Sequence, residues 1–305
     1  MRRSMRRSTG RAARTAKART PVRRQCGTMQ VHFRLLETDP GFRARQMALE
    51  QATARRMAAR VAKWKVAIIP TVVHVVYHTD AENISDAQVK SQIKVLNRDF
   101  RKKNPDRTKV PSVWSGLVAD AGVKFKLAKI TRTRTNRTAF GDDDSVKSSA
   151  TGGVDPWPTG KYLNVWVCTL AGGLLGYAQF PGGPAATDGV VILNTGFGTT
   201  GTAAPPFHLG RTTTHEVGHW LNLRHIWGDT EDCSGSDFVA DTPNAAGPNF
   251  GKPTFPHITC GNGPNGDMFM NYMDYVDDDT MFMFTTGQGE RMHAAIQGPR
   301  NSFLP

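Results

Sequence analysis

His215-Glu216-Val217-Gly218-His219-Trp220-Leu221-Asn222-Leu223-Arg224-His225 is the stretch on which the reading of this chain turns. In a helix, residues four apart stand one turn apart on the same face, so His215 and His219 present two imidazoles to one ion. Glu216 lies one position round, too far to bind that ion beside them but near enough to reach a water it holds. A catalytic zinc keeps three protein ligands and one open position. His225 supplies the third ligand if the helix breaks after His219. Asn222 stands where the break is needed, and a left-handed break is made best by Gly and next by Asn. With nine His and six Glu in 305 residues, the HExxH pattern arises by chance in roughly one such chain in two hundred, and the third His lowers that to about one or two in ten thousand. The pattern predicts metal-assisted hydrolysis of peptide bonds. The ion acidifies water and polarises a carbonyl, while Glu216 takes the proton and passes it to the leaving nitrogen. A structural zinc would usually close its fourth position with cysteine.

Working outward, the chain reads as mixed α and β. Residues 66–78 are β-branched and predict a strand, with Pro70 marking its edge or start. Ser85 opens a helix carrying Val89, Ile93, Leu96 and Phe100 at helical spacing. Strands are predicted over 123–130, 162–170 and 189–193, and a helix over 208–224. The Gly-rich turn at 172–176 lacks the lysine-serine ending of a phosphate loop. From the end of the 208–224 helix to about Thr285 the chain is rich in Gly, Pro, Asn and Asp, and so long an irregular stretch needs cross-links or bound metal. A last helix is expected from Thr286 to about Gln297. No run approaches 18 apolar residues, so no helix of this chain is read as crossing a membrane.

The net charge of +13 is not spread evenly. Residues 1–60 hold 16 Lys+Arg against 3 Asp+Glu, and residues 61–305 hold 23 of each. The basicity belongs to a separable N-terminal segment on a neutral body. The arginine-rich run is expected to stay unstructured until about Thr28, and no apolar stretch typical of a secretory leader follows it. Asp39-Pro40 then opens an Ala/Arg-rich helix. Taken alone, the segment fits a nucleic-acid or acidic-surface binding protein. That alternative leaves the three-histidine helix unexplained, and salt-dependent DNA binding by residues 1–60 alone would support it.

The HExxHxxNxxH helix, followed by Asn271-Tyr272-Met273-Asp274-Tyr275, resembles the zinc helix and Met-turn of the metzincin peptidases. The wording HEVGHWLNLRH, the preceding VWVCTLAGGLLGYAQFP, Asp241-Thr242-Pro243 and the final GQGERM resemble the pappalysin family in particular, over most of residues 65–297. Asn222 replaces the family's usual glycine. The resemblance implies an α+β catalytic domain over 61–305, with a mixed twisted sheet, backing helix and active-site helix above a loop-rich half. It implies Met273 as an apolar base under the histidines and Tyr275 as donor to the oxyanion. It also implies a Cys233–Cys260 disulfide contributing roughly 3 kcal/mol, in an oxidising and therefore secreted setting, while Cys168 reads as a buried thiol. Calcium is expected at Asp237, Asp241 and Thr242. Residues 1–60 become a pro-segment whose Cys26 fills the zinc's open position until cleavage near Arg60. Among Asp277, Asp278 and Asp279, a carboxylate is expected to favour Arg or Lys after the scissile bond. Asp142 to Asp144 read as a solvated turn. Substrates are proteins or peptides, the chain is expected to act as a monomer, and no nucleic-acid partner is expected for the mature domain.

Overall fold

The computed structural model describes residues 21–59 and 65–304. The arginine run before Pro21 and the cleavage point expected near Arg60 lie outside the described residues. Helices α1 (Thr28–Thr38) and α2 (Phe42–Ala58) precede β1 (Ala67–Tyr77). Then come α3 (Asp86–Asp99), a single turn α4 (Ser112–Ser115), β2 (Val123–Arg134), β3 (Leu163–Cys168), β4 (Gly176–Ala178) and β5 (Val190–Leu193). Helix α5 (Arg211–Trp220), the short β6 (Phe250–Gly251) and β7 (Tyr275–Val276), and α6 (Thr286–Ile296) complete the chain.

Five strands form one sheet in the order β2-β1-β3-β5-β4, parallel throughout except for β4, which runs antiparallel to β5. Strand residues alternate between two faces, and here each face has its own core. Val165, Val167, Val190 and Ile192 join the larger cluster that holds Leu96 of α3 and Val217 of α5. Trp166, Cys168, Val191 and Leu193 join a second cluster with Val31, Leu35 and Phe42 of the N-terminal segment. Burial on both faces is why these strands read as unbroken apolar runs. Phe42 is fully buried, which stabilises the docked segment by about 2–3 kcal/mol.

Helix α3 starts where Ser85 accepts a hydrogen bond from the Gln88 amide at 3.2 Å, and α6 starts at a reciprocal Thr285–Gln288 cap. Three expectations need correction. The Pro70 strand is central, between β2 and β3; Pro70 lies one residue before the pairing with β3 begins at Thr71, so its missing N–H disrupts no ladder on that side. The Gly-rich turn at 172–176 is followed by an unforeseen strand, β4, the edge of the sheet. Order also begins before Thr28. Gln25 O accepts the Leu175 amide and the Gly27 amide bonds Gly176 O, both at 2.9 Å, so the segment extends the sheet parallel to β4.

Candidate active site

Helix α5 carries His215, Glu216 and His219 and ends at Trp220. Asn222 then takes φ +74°, the left-handed turn its position called for, and His225 swings back beneath the helix. The three imidazole Nε2 atoms stand 3.1–3.2 Å apart. His215 Nδ1 faces Tyr272 O at 2.7 Å and His219 Nδ1 faces Leu223 O at 2.8 Å. His225 Nδ1 faces the Asp229 carboxylate. Acceptors at all three Nδ1 atoms fix the hydrogens there, so every Nε2 is bare and these close approaches are not hydrogen bonds. Burial and the neighbouring rings push His215 and His219 well below the usual imidazole pKa. Three lone pairs facing one another in a dry interior call for a cation, and the donor set suits zinc.

Beneath them, Met273 is fully buried and its amide bonds Asn271 Oδ1 at 2.9 Å. A Cβ at Gly218 would stand 2.5 Å from Met273 Sδ, so glycine there is what lets the helix rest on the methionine. Tyr275 packs edge-on to His225, with centroids 5.0 Å apart. Burial raises its phenol well above the usual value, so it is a proton-bearing donor. Trp227 stacks on His225 with centroids 4.4 Å apart and also meets Tyr275 edge-on at 4.8 Å, so the three rings form one cluster.

The N-terminal segment enters this site. Cys26 Sγ and the three Nε2 atoms lie within 4.8 Å of one another. The Cys26 thiol donates to Glu216 Oε2 at 3.3 Å, and the Thr28 hydroxyl donates to the same oxygen at 3.0 Å. Thr28 in turn accepts the Ala178 amide at 2.8 Å. Burial raises Glu216 to about 8, opposed by those two donors and the charge of Arg24. Burial and then Glu216 push the Cys26 thiol up. Arg24 gives Nη2 to Asp278 Oδ1 at 2.7 Å and Nη1 to Thr212 Oγ1 at 3.1 Å, and its guanidinium lies over Phe207. Asp278 is fully buried, and its other oxygen accepts the Leu209 and Arg211 amides at 2.8 and 3.2 Å.

Of the three predicted pocket acids, then, Asp278 alone meets an arginine of the N-terminal segment. Asp279 pairs with Lys252 at the surface, and the Asp277 amide bonds Gly251 O. Asp144 is not simply a solvated turn: it pairs with Arg34 of α1 and with Lys147. Cys233 and Cys260 form the disulfide, and Cys168 is a buried free thiol. Asp237 and Thr242 meet through a 2.7 Å hydrogen bond. Asp241 turns away from them, accepting Thr285 Oγ1 and the Gly287 amide at the start of α6. Sequence reasoning missed Arg24, Thr28 and Asp229. The first was one arginine among many, and only the alternation Arg24-x-Cys26-x-Thr28 set it apart.

Residues 147–297 match the peptidase family described as pregnancy-associated plasma protein-A. An extracellular metalloprotease of Arthroderma otae is 33% identical over 239 residues, 76% of this chain and 78% of the relative. Extracellular metalloprotease 1 of Coccidioides posadasii is 35% identical over 237 residues, 73% of this chain and 75% of the relative. Among solved structures, Tannerella forsythia mature mirolysin in complex with a cleaved peptide is 50% identical with TM-score 0.78, covering 79% of this chain and 96% of its own. A promirolysin mutant from the same organism is 46% identical with TM-score 0.84, covering 92% of this chain and 97% of its own.

Proposed function

The chain belongs to the pappalysin family of metallopeptidases, and on that premise we propose a zinc-dependent endopeptidase made as a latent precursor. The observation that carries the proposal is the set of three bare Nε2 atoms converging beside Glu216 and Cys26. His215, His219 and His225 would hold the zinc, which supplies Lewis acidity towards a carbonyl and a water. Glu216 accepts a proton at Oε2 and returns it to the leaving nitrogen. Tyr275 keeps its own proton and donates a hydrogen bond to the oxygen of the cleaved carbonyl. Met273 supports the three rings from below.

Residues 1–60 act as the pro-segment and residues 61–305 as the catalytic domain. Two features support this. The promirolysin match extends further along this chain than the mature mirolysin match does. Cys26 and Thr28 also both occupy the oxygen that Glu216 needs for its proton. Arg24 stands for a substrate side chain: the Asp278 pocket takes Arg or Lys after the scissile bond. A substrate so placed runs towards Asp278, whereas the segment runs from Asp278 to Cys26 to Thr28, so it lies in the cleft backwards. The extracellular names of the relatives and the Cys233–Cys260 bridge support secretion. Calcium fits Asp237 and Thr242; Asp241 would have to leave α6 to join them. Thermal melting with and without calcium tests that binding.

Metal analysis and peptide cleavage, before and after proteolytic removal of the segment, test the whole reading. One zinc per chain in both forms, activity only after removal, and about tenfold or greater preference for Arg over Gln after the cut are expected. Asp278→Asn should lower that preference. Activity without bound metal would overturn the proposal.

A further inference from the structure

The segment leaves Asp278, passes the histidines and continues along β4, where the His32 ring packs on Phe180 with centroids 5.3 Å apart. On this side, away from Asp278, two body arginines face one segment carboxylate. Arg291, with its side chain 1% exposed, donates Nη2 to Glu50 Oε1 at 2.6 Å and Nε to the Asn222 carbonyl at 2.7 Å. The Asn222 amide reaches the same Glu50 oxygen at 3.4 Å. The Arg224 guanidinium lies over Phe180 at 5.3 Å and over Phe238 at 5.6 Å, and Arg291 lies over Phe238 at 5.5 Å. Arg224 Nε is buried without a hydrogen-bond partner among the described residues.

Among the described residues the body's nearby carboxylates make no ion pair with either arginine, although Asp229, whose Oδ2 has no hydrogen-bond partner, attracts Arg224 and Asp237 attracts Arg291. Asp229 binds His225 Nδ1, and Asp237 accepts Thr242 Oγ1 and the Val239 amide. Among the described residues, Glu50 is the carboxylate in ion-pair range of Arg291. Removing the segment takes away that counter-charge and leaves two neighbouring guanidiniums that repel each other, in a site walled by Phe180 and Phe238. Such a site attracts an anion with charge-assisted hydrogen bonds.

We infer that Arg224 and Arg291, with the Asn222 side chain, form a carboxylate-binding subsite of the released enzyme. It takes a Glu or Asp side chain of the substrate on the N-terminal side of the scissile bond, and Glu50 fills it in the precursor. The inference rests on the peptidase reading above and on Asp278 receiving the residue after the cut. It also ties substrate selection to the metal site, because the bond from Arg291 Nε to Asn222 braces the left-handed turn that delivers His225.

The test uses the full chain, trimmed by protease and freed of its severed segment. Peptides with Arg after the cut differ only in Glu or Gln at the second, third or fourth position before it. At one position, kcat/KM should be about five- to tenfold higher for Glu at low salt, and the ratio should shrink as salt rises. Arg224→Gln should bring the ratio to about one, whereas Arg224→Lys, which keeps the charge, should retain part of it. Equal rates at all three positions at low salt would overturn the inference. Failure to cut any peptide would instead count against the peptidase reading. Binding still decides the subsite in that case. A peptide of residues 42–58 should bind the trimmed protein about tenfold tighter than its Glu50→Gln form, and equal binding would overturn the assignment.

Discussion

The histidine cluster and the Arg24, Cys26 and Thr28 side chains that close it are all buried, yet they are built by opposite means. The cluster is local: His219 and His225 lie within ten residues of His215, and two of the three Nδ1 anchors, Leu223 and Asp229, lie four residues from the ring they hold. The closing stretch is assembled from afar. Arg24 reaches Asp278 across 254 residues, and Thr28 reaches Glu216 across 188. Local geometry makes a site that persists; remote contacts make a cover that can be taken off. The proposed activation by proteolysis would need both kinds.

The comparison can be broken most decisively at the residue both regions share. Glu216→Ala should keep the metal and the fold while turnover falls by about a thousandfold or more. Cleavage by that variant at the normal rate would detach the local site from the chemistry. A smaller effect is expected on the removable side. Thr28→Val keeps the shape but loses the donor to Glu216, so activity of the uncut precursor should rise by about tenfold, the equivalent of one hydrogen bond to a buried carboxylate. An unchanged background rate would show that Thr28 only fills space. The smallest effect probes the loop-rich half that supports both regions. Burial raises Asp274 to about 7, opposed by hydrogen bonds from Asn249 and Tyr275. A raised carboxyl favours the folded state in its neutral form, so its contribution is full below about pH 4 and is lost as pH rises through 7. The urea midpoint should therefore fall between pH 5 and 8 in the wild type, and fall less in Asp274→Asn. Parallel slopes would show that Asp274 does not titrate there.

The same contrast explains what the sequence made legible. Residue spacing of four and six is geometry that a linear text carries, so the three ligands, Glu216 and the turn at Asn222 could be read from it, and likeness to a family added Met273, Tyr275 and the disulfide. Strand β4 could not be read, because three residues beginning with Gly176 have no periodicity. Its glycine has a steric cause: a Cβ there would stand 2.9 Å from Glu216 Cγ and 2.8 Å from Val191 O. Helix α1 escaped notice because its buried face, Val31, His32 and Leu35, follows directly on a charged run. The pairing of Arg24 with Asp278 was also hidden. Like charges in sequence say nothing about which of them finds a buried acid. Asp241 was grouped with Asp237 and Thr242 by proximity in the chain, yet the Thr285 hydroxyl and Gly287 amide claim it.

The outer rim of β4, on which the segment is seated, has a practical consequence. Cys26 is held in part by main-chain bonds that Gln25 and Gly27 make with Leu175 and Gly176, and these do not depend on which ion lies below. An inhibitor built as a short strand mimic, with an arginine-like arm for Asp278 and no chelating group, would use the same rail. It would spare other zinc proteins, because nothing in it would compete for their metal.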